Sequence, residues 1–299
     1  MFTSPKRVYV LISAVVLVVV LGIFYVRAVP VGLIGIKVFE GNYFQGSLFS
    51  FGLTGFNEKK VSVKGTLLDY ASAKGTTVAL VQNDETRGVD LVVVAPSVRY
   101  LTENGGGKAA LSLSPDGTML AYSDLIDTSK TINITTQISG WTIKVMNIKT
   151  GEMTAMGAGF SPEFFETSGR TMLFFTSPDG ITIADVHAKT SQTTPFINHG
   201  VIDYAAHISR NGKYVAIANG LTKRYELFKV THIEAPLGLS PLGRLEPLLT
   251  LGVFKGDTFY AVERNQEENS RLWKFKMVQS PVGKAVFTFP NNSPYRVLP

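Results

Sequence analysis

From residue 66 onward the chain is written in short apolar runs separated by polar turns, and the runs recur in a fixed order. A glycine followed by one or two polar residues and an apolar run appears five times: GTTVALV at Gly75, GTMLAYS at Gly117, GRTMLFF at Gly169, GKYVAIA at Gly212 and GDTFYAV at Gly256. The glycines are spaced 42, 52, 43 and 44 residues apart. A period of about 40–50 residues is the mark of a repeat architecture. Before each glycine stands another apolar run: LLDYAS, AALSLS, PEFFE, DYAAHIS and LLTLGVF. A third, more amphipathic run follows: LVVVAP, WTIKVMNI, ITIADV, YELFKV and RLWKFKM. A weaker fourth reads SVRYLTE, EMTAMG, TTPFIN, a stretch around Arg244 to Leu249, and AVFTFP.

Four short strands in about 44 residues describe one blade of a β-propeller. The expected fold is therefore all-β, a propeller of about five to six four-stranded blades over residues 66–299. Residues 33–65 hold three further strand-like runs, LIGIKVF, SLFSFG and KKVSVKG. With the C-terminal YRVLP they are expected either to close the ring as a sixth blade, slightly favoured over five, or to form an extended neck over residues 27–65. The long interval after Gly117 marks an insertion, Asp124 to Gly140, inside one blade. Such insertions become surface loops, where binding concentrates.

The tetrapeptide SPDG occurs twice, at Ser114 to Gly117 and at Ser177 to Gly180. Only the first is in register with the glycine series, so the pair reflects one turn chemistry used at two different hairpins. Asp-Gly supplies the positive φ that tight hairpins need, which makes Asp116 and Gly117, with Gly75, Gly169, Gly212 and Gly256, structural turn residues. LSLSPDGTMLAYSD followed by WTIKVMNIKTGE resembles the TolB-like β-propeller repeat, with Asn147, Thr150 and Gly151 matching its closing turn. The match is specific over residues 109–152 and loose over 66–290. It implies a propeller fold and a tendency toward protein binding, and it transfers no particular activity.

Ahead of the repeats, Val8 to Val26 is a run of 19 residues without a charge. As a helix it would span about 28 Å, close to the hydrocarbon thickness of a bilayer. Tyr9 at one end and Phe24 and Tyr25 at the other are placed as interfacial anchors. The run is longer than the apolar core of a cleaved leader, and RAVPVG after it lacks a small-x-small cleavage site. The expectation is a single transmembrane helix over 8–26, with residues 1–7 cytoplasmic because Lys6 and Arg7 precede it. The propeller would then be periplasmic or extracellular. The net charge of +6 draws half its excess from Lys6, Arg7 and Arg27, and no basic tract suggests nucleic acid.

Candidate chemistry is sparse. No cysteine is present, which removes disulfides and thiolate metal sites. Of the four histidines, only His199 and His207, with Asp203 between them, form a cluster, and they are weak candidates for a channel-lining acid–base or metal site. The carboxylate pairs Asp84–Glu85 and Glu267–Glu268 fall in hairpin loops, where adjacent side chains diverge. No catalytic, cofactor or metal residues are expected. The leading expectation is a membrane-anchored scaffold or accessory subunit whose partners are other membrane or envelope proteins. A small-ligand or enzymatic propeller using the central channel is the alternative, and an envelope sensor or glycan-associated module is another.

Overall fold

Each apolar run is bounded by residues that favour turns, so the chain folds as short antiparallel strands joined by tight hairpins. The computed structural model describes residues 32–39, 43–52, 55–59, 61, 63–103, 105–126, 138–195, 206–219, 224–234, 236–246, 249, 252–263, 269–289 and 295–298. The expected span at 8–26, with Tyr9, Phe24 and Tyr25, lies outside the described residues. So do His199, Asp203 and most of the insertion after Asp124. Among the described residues no helix is long and apolar enough to cross a membrane.

Among the described residues six four-stranded antiparallel sheets are formed. The first contains β1 (Gly32–Phe39), β2 (Tyr43–Gly52) and β3 (Gly55–Lys59). The second is β4 (Thr66–Ala73), β5 (Thr76–Gln82), β6 (Val89–Ala95) and β7 (Arg99–Tyr100). The third is β8 (Lys108–Leu113), β9 (Met119–Leu125), β10 (Trp141–Asn147) and β11 (Met153–Ala158). The fourth is β12 (Phe160–Thr167), β13 (Arg170–Ser177), β14 (Gly180–Asp185) and β15 (Thr190–Thr194). The fifth is β16 (Ala206–Ile208), β17 (Tyr214–Asn219), β18 (Arg224–His232) and β19 (Gly238–Arg244), and the sixth β20 (Val253–Lys255), β21 (Thr258–Glu263), β22 (Arg271–Lys276) and β23 (Gly283–Thr288). Finally β24 (Tyr295–Leu298) returns to pair antiparallel with β1, placing Leu33 opposite Val297 and Gly32 opposite Leu298. Five sheets are thus built from contiguous chain and one from both ends of it.

Among the described residues an apolar cluster fills each seam between neighbouring sheets, and a smaller one of Ala110, Trp141 and Phe160 lies beside the seam of the third and fourth. Leu48, Leu298 and Val92 join the first sheet to the second, and Leu91, Leu113 and Tyr122 the second to the third. Ile143 and Phe175 fill the third seam, Phe174 and Ile217 the fourth. Leu227 and Phe259 fill the fifth. Val262, Phe289 and Val297 then close the circle onto the first sheet. Sheets packed face to face around an axis explain why the second strand of each blade is buried on both faces: Val78 to Val81 and Leu173 to Phe175 are each 2% exposed or less.

All five turn glycines of the repeat adopt positive φ, from 58° at Gly256 to 83° at Gly75. In the first SPDG turn Asp116 accepts hydrogen bonds from Ser114 Oγ (2.5 Å), Thr118 Oγ1 (2.8 Å) and Thr118 N (3.1 Å). The second SPDG joins β13 to β14 with Gly180 at φ 144°, a different hairpin, as its position in the repeat requires. One boundary differs from the pattern. The fourth strand of the fifth sheet lies at Gly238–Arg244 rather than after Arg244, because GLSPLGR pairs with β18 through two register shifts that tolerate its proline and glycine.

Candidate functional site

The first strand of each repeat faces the axis, and together with β24 these strands enclose a central cavity of about 580 Å³. Three of them carry a bulge just before a polar residue. The pairing slips between Leu67 and Asp69 on β4, between Ala109 and Ser112 on β8, and between Phe160 and Glu163 on β12. Ala110 and Ser161 sit inside two of these bulges at φ 53° and 56°. A bulge bends the strand and re-aims the side chain that follows it.

The re-aimed side chain reaches the neighbouring blade each time. Asp69 Oδ2 accepts from Leu111 N at 2.9 Å, Ser112 Oγ from Phe164 N at 2.9 Å, and Glu163 Oε2 from Ile208 N at 2.8 Å. β8, β12 and β16 thus each have a backbone donor satisfied by the preceding blade rather than by their own sheet, as buried N–H groups demand.

His207, on β16, holds the next place in that series. It is 4% exposed, so it is a buried wall residue of the cavity rather than an open channel-lining group. Its Nδ1 lies 2.5 Å from Glu163 Oε1 and its Nε2 3.3 Å from the Tyr225 hydroxyl, which accepts from Gly252 N at 3.3 Å. One donor order satisfies the whole chain: Gly252 N–H to Tyr225, Tyr225 O–H to His207 Nε2, and His207 Nδ1–H to Glu163. The fourth, fifth and sixth blades are linked by it. Both ring nitrogens are committed inside the protein, and Tyr225 and Phe259 pack against the ring at 5.9 and 6.0 Å between centroids.

Beyond this wall the cavity is of mixed polarity, with Leu111, Leu113, Phe164, Val253 and Phe254 supplying its apolar part. Charge gathers beside the hairpin turns, where Glu166, Arg210 and Lys255 line it and are exposed. Glu163, Tyr225, Arg210 and Lys255 are not among the candidate site residues that the sequence offers. The signal that reaches the first was present: a polar residue five or six places before the turn glycine, filled by Asp69, Ser112, Glu163 and His207. Among the described residues no group of three histidine or carboxylate side chains is placed to hold a metal ion.

Among solved structures, the chain is similar to TolB from Acinetobacter baumannii, with a TM-score of 0.59 at 14% identity over 90% of this chain and 66% of that one. The fold is TolB-like. A puromycin hydrolase is also similar, with a TM-score of 0.50 at 11% identity over 83% of this chain and 43% of its own. The TolB-like propeller thus spans less than half of the hydrolase and about two thirds of TolB, and at these identities the likeness is one of fold. No family model and no curated protein sequence matches the chain.

Proposed function

We propose that this chain is a membrane-anchored, extracytoplasmic propeller that serves as a protein-interaction scaffold or accessory subunit of a membrane complex. The observation that carries the reading is the closed ring itself. Among the described residues most apolar side chains are buried in the seams, so what it offers to partners is two faces of hairpin turns and the outer blade edges. The similarity of fold to TolB supports a role in protein interaction. The uncharged segment Val8 to Val26 behind Lys6 and Arg7 supports the tether and its orientation.

Two measurements test this. Full-length protein extracted from native membranes in mild detergent is expected to co-migrate with partners in fixed stoichiometry, identified by mass spectrometry. A lone monomer would overturn the scaffold reading. Because the chain has no cysteine, a single Val282→Cys substitution at a position 83% exposed gives a clean topology probe. Labelling by a membrane-impermeant maleimide applied from outside the cytoplasmic membrane is expected, and labelling only after lysis would reverse the orientation.

A further inference from the structure

The central cavity has the size of a small-molecule site, and its polar groups divide into two classes. Pockets of roughly 300–1,000 Å³ with apolar walls and a few convergent polar groups are the usual form of such sites, and this one encloses about 580 Å³. Several polar groups of its wall are committed within the protein. Glu163 serves His207 and Ile208, and Ser112 serves Phe164. Asn211, beside the turn, donates to Asp257.

The cations at its rim are not consumed. Among the described residues neither the Arg210 guanidinium nor the Lys255 ammonium has a hydrogen-bond or ion-pair partner; Arg210 stands in the turn after β16, Lys255 ends β20 on the next blade, and both line the same cavity. Glu166 is the one rim carboxylate likewise uncommitted. Among the described residues the rim therefore holds two cations and one carboxylate without partners, beside the apolar part of the wall.

We propose that this cavity binds an organic monocarboxylate with an apolar body, its carboxylate held by Arg210 and Lys255 and its body on Leu111, Leu113, Phe164 and Phe254. The guanidinium fork matches a carboxylate with two parallel hydrogen bonds and the ammonium adds a point charge. Glu166 sets the selectivity, because a second negative charge on the ligand meets it at the same rim. The site is independent of the scaffold role, and neither stands or falls with the other.

The test uses the full chain in lipid nanodiscs, titrated calorimetrically with phenylpropionate against empty nanodiscs. Saturable binding of one molecule per chain is expected, weakened about tenfold or more in Arg210→Ala and in Lys255→Ala, since a hydrogen bond to a charged group carries that much. Both positions are exposed, so the variants should keep the wild-type melting temperature, which is checked alongside. Phenylpropylammonium, the same body with the opposite charge, should not bind. Absence of saturable phenylpropionate binding overturns the site. Equal binding of the two probes, or binding unchanged in both rim variants, overturns the head-group assignment and with it the proposal.

Discussion

The carboxylate of Glu163 on β12 clasps the next blade at two points, with Oε1 2.5 Å from His207 Nδ1 and Oε2 accepting from Ile208 N at 2.8 Å. Removing it leaves a ring N–H and a buried backbone N–H without acceptors, and unmet buried donors are costly. Glu163→Ala is expected to lose about 2–3 kcal/mol of stability in urea titration. Glu163→Gln keeps one carbonyl oxygen for Ile208 and offers its amide to the alternative His207 tautomer, so it should lose about half as much.

The turn glycines share positive φ but differ in surroundings, and the difference is measurable. Around Gly75 an added Cβ meets open space, so Gly75→Ala carries only backbone strain, about 1 kcal/mol. At Gly117 the same atom comes 2.7 Å from the Ala73 carbonyl oxygen in the second blade's turn. Gly117→Ala adds a collision between blades to the strain and should cost about 3 kcal/mol. Equal melting temperatures for the two variants would contradict this packing.

Asp116 makes acid stability partly a property of one turn. Burial pushes its carboxyl up, but the hydrogen bonds from Ser114 and Thr118 outweigh that and hold it below the usual carboxylate range. A group whose folded value is depressed contributes stability above its unfolded value, near pH 4, and loses it as pH falls through the folded one. Asp116→Asn should therefore be less stable than wild type near neutrality, and the gap should close below about pH 4. Denaturant midpoints measured across that window check the sign.

Ring closure rests on four residues from the chain's end. Val297 and Leu298 are 2% and 4% exposed and enter different seams, toward the sixth and the second sheet respectively. Burying two such side chains contributes about 3–5 kcal/mol before any backbone pairing is counted. A chain ending at residue 294 should lose at least that much in urea titration, whereas Val282→Ala, at an exposed position, should leave the midpoint in place.

The repeat was legible because each blade repeats one local pattern, a strand pair around a glycine that must adopt positive φ, and local chemistry is what a linear chain displays. The first sheet was harder, since Leu33 finds its partner at Val297 and no local pattern announces so distant a pairing. The fourth strands were weakest because outer edges need little apolar face; GLSPLGR supplies only Leu239 and Leu242 to the core and otherwise pairs through its backbone. At the site, His207 stood out as a residue type and Glu163 did not, because a glutamate in PEFFE carries no sign of its partner. What places it on His207 is the bulge at Ser161 and Pro162, which changes the direction of one side chain without altering composition.

The pairing of Gly32 with Leu298 also has a mechanical side. Tension arriving along the chain from residues before Gly32 is delivered to β1, which lies between β24 and β2 with hydrogen bonds on both flanks. Such a pull shears two ladders at once instead of peeling one bond after another from an edge. The ring would thus be gripped at an interior strand by the segment that leads into it, and a load along that segment must break the ring where its two ends are paired.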